Sequence, residues 1–248
     1  VGVPGLLLAI LVRFTLREPP RGMAEGRVAD EEQPTIMETF RFLWSKRSFR
    51  HMAVGGGLTA FVGYGVITWV PSFLIRSYGM STGDVGTYLG LILGIPGGIG
   101  IALGGYLADR YGARDTRWYL WIVSVALIAS TPLFFGVYLS STAFASLMFL
   151  ILPILLGNFY QATTFSQTQG LVSLRMRSVA AAVLLFILNM IGLGAGPQAV
   201  GILSDILQPS YGDESLRYAL LILSTVQIWA AYHYYQAGKS LKDDLVTD

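Results

Sequence analysis

Between residues 105 and 115 the chain reads Gly-Tyr-Leu-Ala-Asp-Arg-Tyr-Gly-Ala-Arg-Asp. Gly105 lets two helices approach closely, Asp109 closes a helix end, and Gly112 makes a tight turn between Arg110 and Arg114. The chemistry of this set is an ion pair made and broken at a membrane surface. Arg175 and Arg177 open a later apolar segment. Asp109 is therefore expected to pair with one of them, or with Arg114 in its own loop.

A second set of polar residues lies inside apolar segments, where each unpaired polar group is costly. Phe61, Tyr64 and Thr68 share one helical face, and Asn158, Gln161, Phe165 and Thr168 share another. Asn189 stands in line with Gly192 and Gly196, just before Pro197. These amides and hydroxyls can donate to and accept from a ligand, or can bond neighbouring helices. Tyr160, Thr163 and Gln167 fall nearly opposite Asn158 and Gln161, so they are expected to pack between helices. Gly192 and Gly196, four apart, make a smooth packing face, and Pro197 removes a backbone bond and permits bending. Gly90, Gly94, Gly97 and Gly104 form a second stripe read as tight packing.

Other chemistries find little support. The chain has no cysteine, so thiolate metal sites and disulfides are excluded. No metalloprotease, nucleophile-elbow or phosphate-loop motif occurs, and no carboxylate pair lies inside an apolar segment, so no enzyme, metal site or cofactor is expected. His51 and His233 fall at segment borders and read as interfacial residues. No Asp, Glu, Lys or Arg lies deep in an apolar segment, and Asp84, Asp109 and Asp205 all sit at ends. A formal charge of +2, spread over loops, gives no reason to expect nucleic acid.

The elements that carry these residues are set by solvent. Of the chain, 53% is hydrophobic and only 13% charged, with mean hydropathy +0.57. Soluble domains carry about a quarter charged residues, so the partner surface must be a lipid bilayer. A helix needs about 20 apolar residues to cross it. Six such stretches follow a shorter opening run: about 53–74, 86–107, 118–139, 144–171, 179–207 and 218–235. The expected fold is all-α, a polytopic membrane helical bundle. Residues 1–16 read as the end of a preceding helix, 17–50 as a cytoplasmic linker, 51–236 as a six-helix bundle and 237–248 as a cytoplasmic tail. Within the linker, Thr35-x-x-Glu38 is a capping-box pattern. Ile36, Met37, Phe40, Leu43 and Trp44 then share one face, as in a helix lying at the membrane surface. With the opening residue outside, Arg76 and Arg217 are the only two of the 17 basic residues that fall on the outer side, as the positive-inside rule demands.

The loop at 105–115 resembles the G-x-L-a-D-R-x-G-x-R loop of major facilitator transporters, which in that superfamily recurs between the second and third helices of each half. The chain is similar to the Spinster-type branch over Val1–Gly22, Gly104–Trp121 and Arg175–Leu207. The resemblance implies the carboxy-terminal six helices of a twelve-helix transporter in a bacterial inner (plasma) membrane, with an amino-terminal half as partner. It implies alternating access for a small-molecule substrate such as a lysolipid or sphingoid phosphate, commonly coupled to protons. Any titratable coupling residue would then lie in the other half. It also implies that the first, fourth and fifth full helices line or gate the cavity, which makes Phe61, Tyr64, Thr68, Asn158, Gln161, Phe165 and Asn189 candidates. An organic-anion or sugar-type transporter of the same superfamily is the alternative. A seven-helix receptor would leave the Asp109 loop unexplained.

Overall fold

The computed structural model describes residues 3–16 and 34–246. Residues 17–33 of the linker expected at 17–50, the terminal residues 1 and 2, and residues 247 and 248 lie outside the described residues. The chain divides into two units, residues 1–33 and 34–248. The first contains one apolar helix, α1 (Val3–Thr15), whose Thr15 hydroxyl donates to the Leu11 carbonyl at 2.6 Å.

The second unit is helical throughout its described residues. It starts with α2 (Ile36–Ser45), set by its first turn. The Thr35 hydroxyl accepts from the Glu38 N–H at 3.2 Å, and Glu38 Oε2 accepts from the Thr35 N–H at 2.8 Å. This reciprocal cap satisfies donors that a helix start leaves unpaired. The bond from the Thr35 backbone, and then that from its hydroxyl, hold the Glu38 carboxyl below its ordinary value. The expected apolar face is present but divided: Leu43 is buried, while Ile36, Met37, Phe40 and Trp44 stay exposed.

Six rods follow: α3 (Arg47–Tyr78), α4 (Thr82–Gly112), α5 (Trp118–Leu139), α6 with α7 (Ala143–Gly157, Phe159–Gly170), α8 (Arg177–Tyr211), and α9 with α10 (Ser215–Ser224, Val226–Asp244). Five helical runs are long and apolar enough to cross a membrane. The last, Leu174–Asp244, turns back at Gly212, whose φ of +54° is a conformation that side-chain-bearing residues rarely adopt. Rods α3, α4, α8 and α9 with α10 overrun the expected apolar stretches at both ends, whereas α5 coincides with its stretch and α6 with α7 matches within one residue. The last rod continues through Asp244, into the segment read as a tail, and buries Ala237 and Leu241.

The rods alternate in direction. At one end the Ser48 N–H donates to Asp244 at 2.8 Å, joining the start of α3 to the end of α10. At the other end the Tyr78 hydroxyl donates to the Ser140 carbonyl at 2.8 Å, and Ser77 donates to Glu214 at 3.3 Å. Glu214 also pairs with Arg217, whose guanidinium lies over the Phe73 and Tyr78 rings. Two apolar cores lie along this axis. One surrounds Phe49, Met52, Leu120, Leu184 and Tyr234, and the other Phe73, Tyr138, Leu150 and Leu220.

Close approach of α8 to α3 joins the rods. A Cβ on Gly192 would lie 2.7 Å from that of Ala60, and one on Gly196 would collide with the Phe61 carbonyl oxygen. Helix α8 runs unbroken through Pro197, whose carbonyl accepts from the Trp69 indole at 2.8 Å. The other stripe divides. Gly104 abuts the Phe159 backbone, whereas a Cβ on Gly90 or Gly94 would meet nothing within 4 Å among the described residues. Periodicity finds a stripe but does not say which part of it meets a neighbour. Gly196→Ala should therefore lower the melting temperature in detergent by the equivalent of about 1–3 kcal/mol, the cost of overpacking. Gly94→Ala should leave it unchanged. Equal melting curves for the two variants would contradict the α3–α8 contact.

Candidate functional site

The α6–α7 rod is interrupted at mid-depth. Asn158 ends α6 with φ −85° and ψ −5°, and its N–H bonds the Leu155 carbonyl at 3.3 Å in a tightened turn. Pro153, which lacks an N–H, lies one turn before it. The interruption opens a cavity of about 230 Å³ against α3, reached also by Leu93 of α4, Phe134 of α5 and Gln227 of α10. Its polar lining is Thr59, Tyr64, Asn158, Tyr160, Gln161 and Gln227.

The amide orientations are fixed by their partners. Asn158 Nδ2 donates to the Ile154 carbonyl at 2.7 Å, and a carbonyl can only accept, so Oδ1 faces the other way. There it accepts from Gln161 Nε2 at 3.1 Å, which leaves Gln161 Oε1 at the free end. Asn189 follows the same rule on α8. Its Nδ2 donates to the Leu185 carbonyl at 2.9 Å, and its Oδ1 accepts from the Tyr64 hydroxyl at 3.1 Å.

Of the candidates, Tyr64, Asn158 and Gln161 meet in this cavity. Asn189 is outside its lining and is tied to it through Tyr64. Phe61 packs against the core around Phe73, while Phe165 packs against the core around Phe49. Thr68 is exposed beyond the cavity lining. Tyr160, expected on the opposite face, shares the cavity with Asn158 and Gln161. The interrupted turn at Asn158 resets the helical face, so a wheel drawn through 158–168 as one helix misplaces it. Thr163 and Gln167 are buried between rods as expected, with Thr163 donating to the Phe159 carbonyl at 3.0 Å.

Asp109 lies in the last turn of α4 and is exposed. Among the described residues it has no ion-pair partner, so the expected pairing with Arg114, Arg175 or Arg177 is not made. The helix continues three residues past Asp109 to Gly112, which carries the carboxylate up the helix wall and away from the turn that bears Arg114. Arg110 instead donates to the Tyr106 hydroxyl at 3.2 Å. Gly112 accommodates the Tyr119 ring, 2.7 Å from where a Cβ would stand. Beyond the turn, Arg114, Asp115, Arg117, Lys239, Lys242 and Asp243 border a polar cleft of about 480 Å³. Beside α2, Ile36, Met37, Phe40 and Trp44 face Val179, Phe186 and Ile191 across an apolar groove of about 790 Å³.

Sequence reasoning missed two contacts. His51 Nδ1 and His233 Nδ1 stand 3.0 Å apart, linking α3 to α10 at the end that bears Arg47 and Arg50. Gln227, read as part of an apolar span, is buried at the cavity wall. Both depend on partners far away in sequence.

A six-rod bundle with apolar flanks and a polar cavity at mid-depth defines a multi-pass membrane protein. The family model of the Major Facilitator Superfamily matches residues 1–197, and the chain belongs to that superfamily. It is 34% identical over 207 residues to an MFS-type efflux pump of Mycolicibacterium smegmatis, covering 83% of this chain and 48% of the relative. It is 26% identical over 260 residues to protein spinster homolog 3 of Danio rerio, covering 97% and 52%. A crystal structure of a bacterial homolog to the human lysosomal transporter Spinster, inward-facing and unoccupied, superposes with TM-score 0.79. The alignment has 24% identity and covers 99% of this chain and 59% of that one; it supports the fold. The chain thus spans about half the length of the relatives it matches. Membership of this superfamily places it with membrane transporters rather than enzymes.

The Tyr64–Asn189 bond is the cavity's link to α8 and can be weighed directly. Tyr64→Phe and Asn189→Ala should each cost about 1 kcal/mol, the typical net worth of one such bond. The double variant should cost clearly less than the sum, as contacting partners do. Strict additivity in melting experiments would show that the bond contributes nothing.

Proposed function

We propose that this chain supplies one wall of the substrate cavity of a secondary active transporter working by alternating access, with a second six-helix bundle forming the other wall. The observation that carries the reading is the mid-depth cavity, where Tyr64, Asn158, Gln161 and Gln227 stand among apolar residues. Polar groups at mid-depth, reached through an interrupted helix, suit a binding site in a transporter. The substrate class we favour is a single-chain amphiphile, such as a lysolipid or sphingoid base or phosphate. The cavity's apolar flanks suit an alkyl chain, and its amides suit a polar headgroup. The Spinster names among the relatives support this class, and the efflux-pump name supports outward movement.

The lining has no Lys, Arg, His, Asp or Glu. A phosphate or a coupling proton would therefore be met by the second bundle. Asp109 belongs to a switch at the inner surface: an acidic group in the last turn of a helix opposes the helix dipole, so a cation brought by the second bundle would favour one arrangement over the other.

The transporter containing this chain, reconstituted in liposomes, should move labelled lysolipid or sphingoid substrate. Asn158→Ala should reduce flux at least several-fold without changing expression. Asp109→Asn should slow flux several-fold with its melting temperature kept, since a pair worth about 1 kcal/mol or less adds little stability but shifts a conformational balance. Full flux from both variants would remove the cavity and switch assignments together.

A further inference from the structure

Gln227 stands two residues beyond Thr225, where the last rod is interrupted between α9 and α10. Its side chain is 3% exposed, and it lies on the cavity wall. Its Oε1 has no hydrogen-bond partner in the protein. Among the described residues it is the one buried, unpartnered side-chain atom that belongs to this wall. Thr59, Val62, Val66 and Phe134 of the same lining are buried as well, whereas Ile67 is 49% exposed. Gln227 therefore belongs to the enclosed part of the lining, whereas Tyr64 and Gln161 are partly exposed.

None of the donors on the lining reaches this oxygen, and several of them bond elsewhere. The Thr59 hydroxyl donates to the Gly55 carbonyl at 2.9 Å. The Tyr64 hydroxyl donates to Asn189, and the Asn158 and Gln161 amides are anchored on each other and on Ile154. An apolar side chain of the same length would fill this position with no such deficit, since an unpaired buried acceptor is destabilising. The deficit is explained if the donor arrives with a ligand.

We infer that Gln227 is the specificity-determining residue in the enclosed part of the cavity and takes a hydrogen-bond donor of the substrate, a hydroxyl or an ammonium group. This rests on the transport reading above. The chemistry of the wall narrows the class. An anionic group would enter without a positive partner, which is costly in a site shielded from water. An ammonium or hydroxyl instead meets an acceptor, and the aromatic rings of Phe134 and Tyr160 on the same wall suit an ammonium.

The test uses the complete transporter that contains this chain and three matched ligands: a long-chain amino alcohol, its O-methyl ether and its N,N,N-trimethyl derivative. Ligand-induced stabilisation and liposomal flux are measured for each. The wild type should prefer the free amino alcohol over at least one blocked form by about tenfold, the scale of one buried hydrogen bond. Which blocked form loses binding tells hydroxyl from ammonium. Gln227→Leu should bring the ratio to near unity while keeping or raising the melting temperature in the absence of ligand. Gln227→Glu should keep the preference and tilt it toward the ammonium. If the leucine variant does not fold, Gln227→Met keeps the length, lacks the carbonyl and serves the same comparison. An unchanged ratio in the leucine or methionine variant would mean that the amide holds only an internal water, and the inference falls. Absence of any donor preference in the wild type overturns it as well. Binding with the expected ratio but no flux would instead sink the transport reading and leave Gln227 as a ligand-binding residue.

Discussion

Hydrocarbon offers no hydrogen bonds, so a polar group placed between these rods is costly unless it finds a partner. Many find one within their own turn of helix. Thr59 returns to Gly55 at 2.9 Å, Thr131 to Leu127 at 3.0 Å, Thr163 to Phe159 at 3.0 Å and Asn158 to Ile154 at 2.7 Å. This local closure leaves rod surfaces that are apolar in effect although hydroxyls lie on them. The bonds that cross between rods are fewer. Ser124 reaches the Ala231 carbonyl at 2.8 Å, Thr164 meets the Tyr234 hydroxyl at 2.8 Å, and Trp69 reaches the Pro197 carbonyl. Association then depends on how closely the backbones approach. That is why removal of a Cβ at Gly192 and Gly196 matters more for the bundle than any single polar contact.

The cavity follows from the same constraint, applied where it is relaxed. An interrupted helix exposes backbone groups that a continuous one would satisfy, and membrane proteins tolerate this only where the interruption is covered or lines a cavity. Asn158 does both. Its side chain caps the Ile154 carbonyl, and its position opens the space that Tyr64, Tyr160 and Gln161 share. One residue thus closes a local deficit and borders the cavity beside it.

Features with a local cause were legible in the sequence. The six apolar stretches, their alternation and the cap of α2 each depend on residues a few positions apart, and Thr35 with Glu38 forms the cap that its spacing implies. The 105–115 loop was legible as a motif, and the superfamily it suggested is the one to which the chain belongs. Side-chain placement was legible only where helices run unbroken. Tyr64 could be placed on its face, but the turn at Asn158 displaced Tyr160 from the face that periodicity gave it. Asp109 could be found but its pairing could not, because extension of α4 by three residues decides where the carboxylate stands. His51 with His233, 182 positions apart, and the setting of Gln227 depend on tertiary contacts that no local pattern encodes.

Helix α3 is fastened at both of its ends. Near Ser48 and His51 it is tied to α10 through Asp244 and His233, and near Tyr78 it is tied to the Ser140 carbonyl beyond α5 and to Glu214 at the head of α9. A beam clamped at both supports cannot pivot on its own. It can only flex between them or carry its supports along. The wall of the cavity formed by α3 is therefore mechanically coupled to the last rod over its full length, and force applied at one surface of the bundle reaches the other as rotation of a stiff body.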